Sequence, residues 1–191
     1  VVDGLAVDSA VTREQILSAA LDEVARWGIE RFSVQNLLAH RGIDHAAIAA
    51  FWPDEEELLL EVLLDWPGRR FGPPDTGSLA GDLTLMVAAM VAYVGSGAGR
   101  QIQGALAMPN RSGMRVDLRQ KVWHHRAATV GDVFARAVAR NEMRAGLDPR
   151  TVLQMLMAPI NMRVLLTHEP VDEEYRRTLV ELVCRAVAPD G

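Results

Sequence analysis

At 191 residues, 49% hydrophobic and 24% charged, the chain is long enough to bury a substantial core. No run of about 18 apolar residues marks a membrane span. The single cysteine, Cys184, excludes an intrachain disulfide framework and a cysteine-based zinc site, and fits a reducing cytoplasm.

The net charge of −5 is unevenly spread. Residues 1–65 hold four arginines against thirteen acids, a balance of −9, and residues 66–191 hold sixteen basic residues against twelve acids, a balance of +4. Residues 1–11 lack helical periodicity and read as a loose arm. Thr12 with Gln15 forms a capping-box start, and Ile16, Leu17, Ala20, Leu21 and Val24 recur at helical spacing up to Gly28, a C-terminal cap. Ser33 is the N-cap expected for a short second helix to about residue 40, with Val34, Leu37 and Leu38 inward. Gly42 then sits where a tight turn needs positive φ. Asp44 caps a third helix whose inner positions are Ala47, Ile48 and Phe51. A fourth begins near Asp54, with Glu57 in the capping-box place and Leu58, Leu59, Val62 and Leu63 inward, and stops before Trp66-Pro67-Gly68.

Residues 67–77, dense in proline and glycine, form the candidate boundary. Ser78 reopens helix with Leu79, Leu83, Met86, Met90 and Tyr93 on one face, broken by the glycine-rich run 95–99. A short helix covers 102–108, and residues 115–145 read as one long helix with Val122, Trp123, Val130, Phe134 and Val138 inward. Asp148-Pro149 is an N-cap and first-turn pair, opening an apolar helix through Leu166 that Pro159 is expected to bend. Asp172 opens a last helix bearing Tyr175, Leu179, Leu182, Val183 and Val187. The expected fold is all-α, about nine helices. It comprises a helix-turn-helix domain over 1–52, a connecting helix over 53–66 and a helical domain over 67–191.

The run ILSAALDEVARWGIERFSVQNLLAHRGID, followed by an aromatic pair and proline, resembles the three-helix reader of the TetR family of bacterial regulators. The segment RAVARNEMRAGLDPRTVLQMLMAPINMRVLLTHEPVDEEYRRTLVELV is similar to a subgroup of TetR effector domains. The resemblance implies a homodimer that reads double-stranded operator DNA through its third helices and is released by a small effector. It also implies that the last two helices form the subunit interface. Leu153, Leu156, Ile160, Leu165 and Leu166, with Leu179, Leu182 and Val183, are the candidates for that face; the plainer alternative is that they are monomer core.

Carried across position by position, the resemblance makes Ser33, Arg41, Asp44, His45, Ala46, Ala49, Ala50 and Glu55 the candidate DNA-facing residues. Several depart from the family pattern. Tyr is common where Ala49 stands, Lys where Glu55 stands, and Ser or Thr where Asp44 stands. A helix N-terminus attracts phosphate through free amides, and a carboxylate cap there repels it. His45 is the one polar side chain among the outward positions of the third helix, and bidentate base readout uses Arg, Lys, Asn or Gln. The acids at 54–57 also have a purely structural role, favouring the start of the fourth helix.

The effector pocket is expected among Met86, Met90 and Tyr93, then Ile102, Leu106 and Met108, then Trp123, Val130, Phe134 and Asn161. Its ligand would be apolar or aromatic; a methionine row at this spacing also reads as plain core. His124 and His125 lie about 100° apart on a helix and cannot chelate as an i, i+4 pair would. No metal, cofactor or catalytic constellation is expected. The sequence therefore reads as a ligand-responsive repressor, or as a dimer of the same fold that has lost DNA binding and acts through ligand or protein contacts.

Overall fold

A computed structural model describes residues 12–64, 72–107 and 116–189. Ten α-helices and no strands occur among them. The expected N-terminal arm, Met108 and residues 67–71 of the expected boundary lie outside the described residues. The chain divides into two compact units between Val62 and Leu63, inside the helix expected to connect the domains.

In the first unit, α1 (Arg13–Trp27) starts on a complete capping box between Thr12 and Gln15, and Gly28 closes it with φ 81°. A 3₁₀ turn, Ile29–Arg31, leads to α2 (Val34–Arg41) and then α3 (His45–Ala49). Ile16, Ala20, Val24, Ile29, Phe32, Leu37, Ile48 and Trp52 are buried. Two inner positions of α3 differ from expectation. Ala47 is half-buried and Phe51 is 45% exposed, while Trp52 is buried instead. The cause is length: α3 ends at Ala49, so Phe51 lies beyond the helical register that would have turned it inward. α4 (Glu55–Leu63) follows, with Asp54 Oδ1 accepting from the Glu57 N–H at 2.9 Å and all four expected inner residues buried.

The second unit contains α5 (Leu79–Gly95), capped by Ser78, and α6 (Gly97–Ala107), which meets α5 at 92°. α6 starts inside the glycine run rather than after it. Gly99 makes this possible, because a Cβ there would collide with the Tyr93 carbonyl. The long helix expected over 115–145 is two helices, α7 (Val116–Thr129) and α8 (Gly131–Ala139). Thr129, Val130 and Gly131 are three consecutive weak helix formers, and Val130 leaves helical geometry at φ −101°, ψ 4°. The break rotates the later face, so Ala137 is buried and Val138 exposed, the reverse of the expectation.

α9 (Pro149–Asn161) is capped by Asp148 as expected. It continues through Pro159 and widens into a π turn, Met162–Thr167, in keeping with a proline that supplies no N–H to the ladder. α10 (Glu173–Val187) is capped by Asp172. The core joins α5, α8, α9 and α10 through Leu83, Met90, Phe134, Leu153, Met157 and Val183 among others. Among the described residues no single helix is long and apolar enough to cross a membrane.

Candidate nucleic-acid interface

The turn between α2 and α3 is built as its sequence requires. Gly42 adopts φ 63°, ψ 22°, its N–H donates to the Leu38 carbonyl, and buried Ile43 anchors the exit. Ile48 holds α3 from its inner side, leaving His45, Ala46, Ala49 and Ala50 exposed. These are the outward positions expected of a reading helix, and they carry three methyl groups and one imidazole.

The helix starts on this surface are closed by oxygen acceptors of the chain itself. Ser33 Oγ accepts from the Gln35 N–H at 3.1 Å, and Asp44 Oδ1 accepts from the Ala46 N–H at 3.3 Å. Glu55 reaches back from the first turn of α4, and its Oε2 accepts from the Val34 N–H at 2.9 Å. Sequence spacing did not show this last contact, because 21 residues separate the partners. The three segments enclose a groove of about 230 Å³ lined by residues including Gln35, His45, Ala49, Trp52, Asp54 and Glu55.

The nearby cation is committed. Arg41 Nη2 lies 2.8 Å from Asp22 Oδ2, although both side chains remain exposed. On the supporting side, buried Trp52 donates its indole N–H to Glu61 Oε2 at 2.8 Å, and Arg13 lies 5.3 Å from the Trp52 ring centroid while pairing with Glu61. This frame holds the α3–α4 corner that presents Glu55.

A family model for the tetracyclin repressor-like C-terminal domain matches residues 73–183. The chain belongs to the TetR family of ligand-responsive transcriptional regulators. YdeS of Bacillus subtilis, a helix-turn-helix-type transcriptional regulator, is 23% identical over 172 residues, covering 88% of this chain and 86% of that protein. A TetR-family protein from Vibrio parahaemolyticus shares the fold at TM-score 0.67 and 21% identity, covering 93% of this chain and 99% of its own. The regulator FadR of Bacillus subtilis, solved with stearoyl-CoA, does so at TM-score 0.66 and 17% identity, covering 92% of this chain and all of that one.

Within the second unit, Met90, Ile102, Val130 and Phe134 of the expected pocket are buried, and Met86, Tyr93 and Trp123 are half-buried. Leu106 and Asn161 are also half-buried, and the Asn161 Oδ1 atom is buried without a hydrogen-bond partner. Three interior polar residues of this unit escaped the sequence reading, Asp82 and Arg126, both 0% exposed, and Gln103, 2% exposed. A signal existed for the second: Arg126 lies one turn after Trp123, four positions after inward Val122.

Among the interface candidates, Leu153, Leu156, Ile160, Leu179 and Val183 are buried in the chain's own core, the plainer alternative for them. Leu165 is half-buried, and Leu166 and Leu182 stand 70% and 57% exposed, with Met155 and Met162 also outward.

Proposed function

We propose that this TetR-family chain is a cytoplasmic homodimeric repressor that binds double-stranded operator DNA and releases it on binding a small apolar or aromatic effector. Fold and family support the reading. The observation that carries it at the site is the outward face of α3, whose His45 and Ala49 line a groove while Ala46 and Ala50 are also exposed. Methyl groups on this face suit contact with thymine methyls, and His45 supplies a single polar contact. Phosphate grip is weak, because acids outnumber arginines thirteen to four over residues 1–65 and Glu55 already holds the Val34 amide.

The dimer face consists of the outward stripe of α9 and the π turn, Met155, Met162 and Leu166, together with Leu182 of α10. Large apolar side chains exposed together are a poor surface for a monomer. The contact between Glu55 and Val34 also favours a second reading, a TetR-fold dimer that has lost autonomous DNA binding. A salt-titrated binding assay on duplex DNA from upstream of its own gene separates the two. The repressor shows sequence preference and affinity that falls steeply with salt; absence of binding at low salt leaves the second reading standing.

A further inference from the structure

α7 carries a guanidinium into the interior of the effector unit. Arg126 is wholly buried; its Nη1 donates to Gln103 Oε1 at 3.0 Å and its Nη2 to the Leu63 carbonyl at 3.1 Å. Its guanidinium carbon lies 5.7 Å from the Trp123 ring centroid, and the Tyr93 side chain is close enough to favour its charged form. Burial lowers the Arg126 pKa from its ordinary value, with Tyr93 opposing that shift.

Gln103 is the incomplete member. Its amide oxygen is committed to Arg126, while its amide nitrogen is buried with no hydrogen-bond partner. Turning the amide over would set its NH₂ against the guanidinium, donor to donor, so the arrangement has one sensible orientation. An unsatisfied buried donor is costly, and folded proteins retain few of them.

We infer that Arg126 and Gln103, with Tyr93, seat the head group of the effector, and that the effector is a small apolar organic acid. An ionised carboxylate has only acceptor sites, so it takes the Gln103 amide hydrogens and the guanidinium donors together. Its apolar body lies against Trp123 and Ile102, neighbours of the two seat residues. An amine would meet the guanidinium charge, and an alcohol would fill one acceptor position with a neutral group.

The seat also touches the helix that leads to the reader. Leu63 is the last residue of α4, and its carbonyl belongs to the set that a helix end leaves without internal donors. Arg126 satisfies it with a cation, a favourable match to that end of the helix dipole. A carboxylate on Arg126 competes with the Leu63 carbonyl for the same donors.

This inference rests on the second unit being the effector unit, and its test separates the two. Decanoate and 4-phenylbutyrate are titrated calorimetrically into the full chain beside 1-decanol and 4-phenylbutanol. At least one acid binds tenfold or more tightly than its alcohol. Arg126→Met removes that preference, and Gln103→Leu reduces it several-fold while keeping a cooperative thermal transition. Should Arg126→Met fail to fold, Gln103→Leu alone decides. Equal binding of acid and alcohol, or a preference untouched by Gln103→Leu, overturns the acid seat and leaves an apolar effector standing. Failure of all four compounds to bind at millimolar concentration overturns both.

Discussion

Replacing Glu55 with glutamine separates stability from DNA affinity, because the two should move in opposite directions. The side chain keeps an oxygen within reach of the Val34 N–H but loses the charge that strengthens the 2.9 Å bond. Loss of a helix cap costs about 0.5–2 kcal/mol, and retention of the acceptor puts this change near the lower end. Against DNA the sign reverses. Two unit charges about 4 Å apart in water-like surroundings interact by roughly 1 kcal/mol. Relief of one such repulsion in each of two subunits is worth roughly 2 kcal/mol, about 30-fold in affinity. Fluorescence anisotropy of duplex DNA from upstream of the gene, at about 50–200 mM salt, measures this gain, which shrinks as salt screens the charges. Urea unfolding of the same variant supplies the stability arm. If Glu55→Gln binds no more tightly than the parent at low salt, while the parent does bind, the carboxylate does not oppose phosphate and the reasoning is wrong.

Three further outcomes are expected. The double variant Leu166→Glu, Leu182→Glu should be monomeric by light scattering with nearly unchanged unfolding, since both sites are exposed; a persistent dimer would move the interface elsewhere. Gly99→Ala should destabilise by about 1–3 kcal/mol, the usual range for overpacking, because its methyl meets the Tyr93 carbonyl at the α5–α6 corner; an unchanged urea midpoint would contradict that geometry. The Asp148 carboxyl is held below its ordinary value first by the Arg150 N–H and then by Thr151, with slight burial acting the other way. Its cap contribution is therefore present above the unfolded carboxyl pKa, about 3.9, and lost as pH falls through the lower folded value. The stability gap between the parent and Asp148→Ala should close in acid; a gap constant down to pH 2 would refute the assignment.

Much of the fold was legible because its signals are local. The capping box of Thr12 and Gln15, the Gly42 turn and the caps Ser33, Asp44, Ser78, Asp148 and Asp172 all stand where the residue types place them. A cap needs partners within three residues, so the sequence window contains the whole interaction. The errors arose where a helix was shorter than its apolar pattern. Phe51 follows the end of α3, and Val138 follows the break at Val130, so periodicity continued across each end sent the wrong side chain inward. The same limit divided the leucines of α9 and α10. One turn can hold a core residue and a surface residue of equal hydropathy, and the neighbouring helix decides which is which.

By itself the sequence determined an all-helical chain, the reader's turn, and acids where a phosphate grip calls for bases. Those follow from composition, local capping and the rotational freedom of glycine. Only tertiary structure decided where the acids go. Glu55 meets the Val34 amide across 21 residues, and Arg126 meets Gln103 and Leu63 across 23 and 63. Hydrogen bonds of that span depend on helix packing, which no local pattern encodes. Both candidate sites, the closed helix start in the reader and the buried donors in the effector unit, are products of that packing.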